Sequence, residues 1–170
     1  MTQVEIREER GGDEEPIANL LRAAFPGEEE AALVERLRRG GEIVASLVAE
    51  RSGVVVGYLA FSRTWLKNAN GRDELAWLAP VAVDPEYQNI GVGSSLIKAG
   101  LLLCGELGVA TAIVLGDPSY YARFGFSSEG ARGLESRWAG DALMAIDLQS
   151  DRNLEMTGEL LEPVAFEGLE

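Results

Sequence analysis

The segment Gln88-Asn89-Ile90-Gly91-Val92-Gly93-Ser94-Ser95 has the residue types and spacing that most directly suggest chemistry. It follows an almost unbroken apolar run, Leu75 to Val83, and a turn, Asp84-Pro85-Glu86-Tyr87, and it opens a long helical pattern. Glycines at 91 and 93 leave room for a ligand to approach the backbone closely. A helix starting there aims the unpaired N–H groups of its first turn, and its positive dipole end, at whatever precedes it. A pyrophosphate suits such a site without needing a lysine. Two other glycine loops fail on single residues. A P-loop needs Gly-Lys-Ser/Thr where Gly93-Ser94-Ser95 stands. A dinucleotide fingerprint needs a third glycine where Leu96 stands.

Composition removes several other chemistries. The 170 residues contain no histidine and one cysteine, Cys104. Ser-His-Asp and Cys-His mechanisms are therefore excluded, as are histidine or multi-thiolate metal sites, and no metal is expected. Cys104 falls in an apolar helical stretch and is read as a packing residue. With 28 acidic against 15 basic residues the net charge is −13, so a nucleic-acid partner is disfavoured, and the acidity either attracts cationic ligands such as amines or serves solubility. No apolar run approaches the roughly 18 residues needed to span a bilayer. The charged, alternating start resembles neither a signal nor a transit peptide. These features predict a soluble cytoplasmic chain without a membrane partner.

The elements that must hold the loop follow from periodicity. Gln3 to Arg7 alternates like a strand. Asp13-Glu14-Glu15-Pro16 opens a helix carrying Ile17, Leu20, Leu21, Ala24 and Phe25 inward. A second helix spans about Glu28 to Arg39, acids first, arginines last, closed by Gly40-Gly41. Strands at Ile43–Glu50 and Val54–Ser62 form a hairpin at Arg51-Ser52-Gly53, and Arg63 to Asp73 reads as a polar loop. The apolar Leu75–Val83 run predicts a central strand. Pro80 within it must end pairing on one side or force a bulge. A helix from about Gly91 to Leu107, with Val92, Leu96, Leu103 and Leu107 inward, leads to a strand at Thr111–Leu115. The strands at either end of that helix should be parallel neighbours. A short helix at Ser119–Phe124 and a strand at Ala142–Leu148 complete the order. One domain over residues 1–150 is expected, with 151–170 as an extension on it, where Leu160, Val164 and Phe166 supply a strand or cover.

Gln88-Asn89-Ile90-Gly91-Val92-Gly93 resembles the Gln/Arg-x-x-Gly-x-Gly/Ala signature of the GNAT acetyltransferases, and Val83-Asp84-Pro85-Glu86-Tyr87 resembles the turn before it. Tyr120-Tyr121-Ala122-Arg123-Phe124-Gly125-Phe126 is similar to that family's second hallmark, a tyrosine three residues before Gly-Phe. More narrowly, Leu78–Val83 and Val114–Tyr121 resemble a bacterial subgroup of N-acetyltransferases without an assigned substrate. The resemblance implies the GNAT fold: an α/β (mixed α+β) domain with a twisted central sheet of about six to seven strands and helices on both faces.

It also implies a function: transfer of an acetyl group from acetyl-CoA, as co-substrate, directly to a primary amine of a small molecule or peptide. By resemblance the backbone of Val81, Ala82 and Val83 receives the pantetheine arm. Gln88, Asn89, Ile90, Gly91, Val92, Gly93 and Ser94 hold the pyrophosphate, Ser119 caps its short helix or touches the cofactor, and Tyr121 is the general acid. A phenol is protonated at neutral pH and can donate to a departing thiolate. One family feature is missing. Several relatives carry a glutamate base six residues before the position of Val83, and here that residue is Trp77. Asp73 and Glu74 lie nearby, but no base is assigned. That gap keeps a second reading open, a CoA-binding sensor or interaction module with weak or no turnover. Dimers are common among similar proteins.

Overall fold

A computed structural model describes residues 3–149 and 156–168. The chain runs β1 (Glu5–Glu8), α1 (Glu14–Ala24), α2 (Glu29–Arg39), β2 (Ile43–Arg51), β3 (Val54–Asn68) and β4 (Gly71–Val83). It continues through α3 (Val92–Glu106), β5 (Thr111–Leu115), α4 (Pro118–Tyr121), β6 (Leu134–Glu135), β7 (Leu143–Asp147) and β8 (Gly158–Leu161). Short 3-10 turns precede α3, follow α4, and lie at Glu129–Ala131 and Val164–Phe166. The sheet has eight strands, six in the order β1-β2-β3-β4-β5-β7, with β8 bridging β3 and the two-residue β6. β4 and β5 are parallel, as expected for strands joined through a helix; the other neighbours on the main path are antiparallel.

Alternation along β3 sorts the core onto two faces. Leu59 and Phe61 pack with Val92, Leu96, Ile97 and Cys104 of α3. Tyr58 and Ala60 pack with Ile17, Leu20 and Leu21 of α1 and Val34 of α2. Farther along that second face, Leu33 and Leu37 of α2 meet Leu66, Leu75, Trp77 and Phe166. Both α1 and α2 carry glutamates in the first turn and arginine in the last, which complements the dipole. Cys104 is fully buried, and burial pushes its thiol up to about 12, which keeps it out of nucleophilic chemistry.

Three sequence expectations change. Arg63–Asp73 is not a loop: β3 runs on to Asn68, and β4 begins at Gly71. Thr64 and Leu66 point inward between the more exposed Arg63, Trp65 and Lys67, so a period-two pattern lay beneath the polar composition. The turn at Ala69-Asn70 is the loop, and Gly71 follows it at φ 122° as the first residue of β4. Leu107 is 56% exposed, because α3 ends at Glu106 and the chain turns at Gly108; the inward stripe is Val92, Leu96, Ile97, Gly100 and Cys104. In the tail, Leu160 and Phe166 are buried but Val164 is 70% exposed. Within the expected 151–170 extension, β8 pairs with β3 at Trp65–Lys67; residues 151–155 and 169–170 lie outside the described residues. Among the described residues no helix is long and apolar enough to cross a membrane.

Candidate active site

Pro80 opens the site. The β3–β4 register shifts between Leu59 and Phe61, with Leu59 opposite Val81 and Phe61 opposite Leu78, so β4 carries an extra residue there, a bulge. On its other side β4 pairs with β5 only at Ala76–Ala112 and Trp77–Ile113. Past Trp77 the β5-facing edge of β4 carries no strand among the described residues. Both consequences of a proline in a central strand are present together.

The gap leads into a cleft of about 480 Å³. One wall is Val81 and Val83. The floor is the turn and helix start, Tyr87 to Asn89 and Gly91 to Ser94, and the far wall is Tyr120, Tyr121 and Arg123. Gly91 caps α3 with φ 92°, a left-handed conformation that L side chains rarely adopt. Asn89 shares it at φ 65°. Gly93 has a different reason: a Cβ there would meet the Tyr120 hydroxyl at 3.3 Å and Val83 Cγ2 at 3.6 Å. The Gln88 side chain does not reach into the cleft as a donor; its Nε2 donates to the Val83 carbonyl at 3.0 Å, tying loop to strand. Asp84 accepts from the Glu86 N–H at 2.9 Å and shapes the turn.

Tyr121 sits where β5 ends. Its ring packs edge-on against Tyr120 at 5.0 Å and Phe126 at 5.9 Å. Burial, with a smaller contribution from Tyr120, raises its phenol above the ordinary value near 10, so it is protonated at neutral pH. Gly116 makes room for it: a Cβ at that position would lie 3.0 Å from Tyr121 Cδ2 and closer still to Cε2.

Most of the residues singled out from the sequence converge here, and three do not. Ala82 faces the α1 side of the sheet. Ile90 is 68% exposed and off the cleft. Ser119 lies off the cleft and does not cap α4: Asp117 is the cap, and its Oδ1 accepts from the Ser119 hydroxyl at 2.8 Å and from the Ser119 N–H at 2.9 Å. Sequence reasoning missed Arg123, which lines the cleft, lies 5.2 Å above the Tyr120 ring and donates to Ser94 Oγ at 3.3 Å. Its position two residues after Tyr121, on the same short helical turn, was the available signal. Gly116 was missed too. Glu74 pairs with Arg63, and neither it nor Asp73 lines the cleft. Among the described residues no cluster of acidic or cysteine side chains is placed to hold a metal.

A split β4–β5 pair, a glycine-capped helix start facing the split, and a half-buried phenol beside it define an acyl-transfer scaffold. Residues 14–126 match the acetyltransferase (GNAT) family, and the chain belongs to that family. It is 41% identical over 138 residues to the uncharacterized N-acetyltransferase YhbS of Escherichia coli K12, covering 79% of this chain and 80% of that protein. The crystal structure of Escherichia coli YhbS in complex with CoA is similar with a TM-score of 0.90 at 34% identity, over 100% of this chain and 95% of that one. A GNAT family acetyltransferase from Brucella melitensis, in complex with acetyl-CoA, gives 0.79 at 29% identity, over 97% and 99%.

Proposed function

We propose that this chain transfers an acetyl group from acetyl-CoA to a primary amine. The observation that carries the reading is the convergence, in one cleft, of the open β4 edge, the Gly91–Ser94 helix start and the Tyr121 phenol. Acetyl-CoA supplies the activated acetyl thioester. The N–H groups of Gly91 to Ser94 meet the pyrophosphate, and Arg123 adds a cation in an otherwise acidic chain. The backbone at Val81 and Val83, on the β4 edge that no strand covers among the described residues, holds the pantetheine arm as an added strand would be held, and fixes the reacting carbonyl. As the neutral amine adds to the carbonyl and the C–S bond breaks, Tyr121 delivers its proton to the departing sulfur, and the proton released by the new amide nitrogen returns through solvent to the phenolate. Direct attack by the amine needs no protein nucleophile, in keeping with the buried, unreactive Cys104.

Calorimetric titration with acetyl-CoA tests this. Wild type is expected to bind it in the micromolar range, Gly93→Glu to lose binding, and Arg123→Ala to weaken it about tenfold, less so in high salt. Folded wild-type protein that binds no acetyl-CoA would overturn the assignment. Tight binding without transfer to any amine would instead leave a sensor.

A further inference from the structure

A second cavity, of about 260 Å³, opens on the other face of the sheet at the same split. Trp77 and Ala79 of β4 and Leu115 of β5 line its base, next to the Gly116 that seats Tyr121. Its walls come from Trp138 and Phe166. These walls are fixed before any ligand arrives. Trp138 Nε1 donates to Glu162 Oε1 at 2.8 Å, Arg137 lies 4.4 Å over the indole and pairs with Glu162 at 3.0 Å, and Phe166 meets Trp77 edge-to-face at 5.2 Å.

The ionisable residues among its lining are Glu29 and Glu30, at the start of α2; no lining residue is cationic. Glu30 Oε2 is shielded from solvent and has no hydrogen-bond partner. A carboxylate oxygen in that state pays the loss of its hydration without a compensating bond. A rotation of the Glu30 side chain would bring that oxygen to an N–H donor in the cavity, and a carboxylate-bearing acceptor would meet repulsion instead.

We infer that this cavity is the acceptor site and selects a primary amine borne on a compact apolar or aromatic body, with Glu30 receiving the ammonium, which sheds its proton to solvent before the nitrogen attacks. The inference rests on the acetyltransferase reading for its place in the reaction, and the binding itself can be read separately. The volume is at the small end of ligand pockets, which suits an arylalkylamine and not a long polyamine. Trp77 then has a reason to replace a polar residue: it forms the apolar floor of the acceptor site. Glu30 acts as a specificity-determining residue.

The experiment titrates 2-phenylethylamine, its uncharged analogue 2-phenylethanol, and spermidine into the protein with and without CoA, following ligand resonances by saturation-transfer NMR. The amine is expected to bind about tenfold or more tightly than the alcohol, as one charge-assisted hydrogen bond requires. Glu30→Gln, which keeps the shape, should erase that preference, while Trp138→Ala should weaken amine and alcohol alike. Equal binding of amine and alcohol to wild type, an undiminished preference in Glu30→Gln, or tighter binding of spermidine would each overturn the inference. Failure of acetyl-CoA to bind the same preparations would sink the transferase reading alone, because the amine arm is read without it.

Discussion

The contact between Gly116 and Tyr121 gives a sharp test of how the phenol is positioned. An alanine at 116 places a carbon 3.0 Å from Tyr121 Cδ2 and nearer still to Cε2. Carbon–carbon contacts relax to about 3.5–4.0 Å, so the ring must retreat by about 1 Å. Tyr120 and Phe126 hold it on two sides, and the ring gives way into the cleft. A displacement of that size at a reacting centre costs about 10²-fold in rate. Gly116→Ala should therefore lower kcat about 10²-fold while acetyl-CoA affinity, set by the α3 end of the cleft, changes little. Overpacking should also lower the melting temperature by about 3–8 °C. Tyr121→Phe keeps the ring and removes the donor, with an expected loss of about 10²–10⁴-fold. If Gly116 acts only by seating that donor, the double variant should be no slower than Tyr121→Phe by more than about threefold, a strongly non-additive cycle. Steady-state kinetics with acetyl-CoA saturating reads all four proteins. A Gly116→Ala enzyme within twofold of wild type, or fully multiplicative losses, would refute the reasoning.

Two further expectations concern pH. Because burial raises the Tyr121 phenol above its ordinary value near 10, the acid stays protonated as the amine loses its proton, and kcat should rise and then hold up to about pH 10; a falling limb centred near pH 8–9 would show that Tyr121 is not the acid. The hydrogen bond from Arg7 holds Asp13 at about 2, below its usual 3.8, against an opposing effect of burial. A depressed carboxylate stabilises the fold above the unfolded value and loses that effect as pH falls through the folded one. This contribution, about 2 kcal/mol, should be present at neutral pH and fade between about pH 5 and pH 2. Urea unfolding of wild type and Asp13→Asn should converge over that window, and a difference that persists unchanged at pH 2 would contradict it.

What was readable in the sequence was what a short contiguous stretch imposes on its own backbone. Gly91 and Gly93 announced a loop that something approaches closely, and Pro80 announced a failed ladder or a bulge; both follow from one residue's steric properties. The run of glutamates before arginines in α2 marked its ends for the same local reason. Strand β3 beyond Ser62 was obscured because Arg63 and Lys67 on the exposed side outweighed the buried Thr64 and Leu66 in composition, although not in period. Gly116 and Arg123 were quoted within longer motifs, yet nothing in their spacing says that one seats the Tyr121 ring and the other reaches Ser94. Those facts depend on how the end of β5 meets α4.

The two openings of the split strand pair differ in how they are built, and that difference bears on where specificity lies. The cleft proposed for acetyl-CoA is assembled from two short segments, 81–94 and 116–123, each of which carries its own turn, cap and glycine requirements. Its lining can hardly vary without breaking local structure, so it fits a ligand shared by many enzymes. The cavity on the opposite face draws Glu30 from α2, Trp77 from β4, Trp138 from a loop and Phe166 from the tail. No backbone requirement links these positions, although Trp77 and Phe166 are also core residues whose exchange must keep their volume. A surface of that kind can change with the acceptor while the chemistry opposite it stays the same. The choice of amine is therefore to be sought in Glu30 and the three rings, and it was illegible in the sequence because no spacing rule ties residues 30, 77, 138 and 166 together.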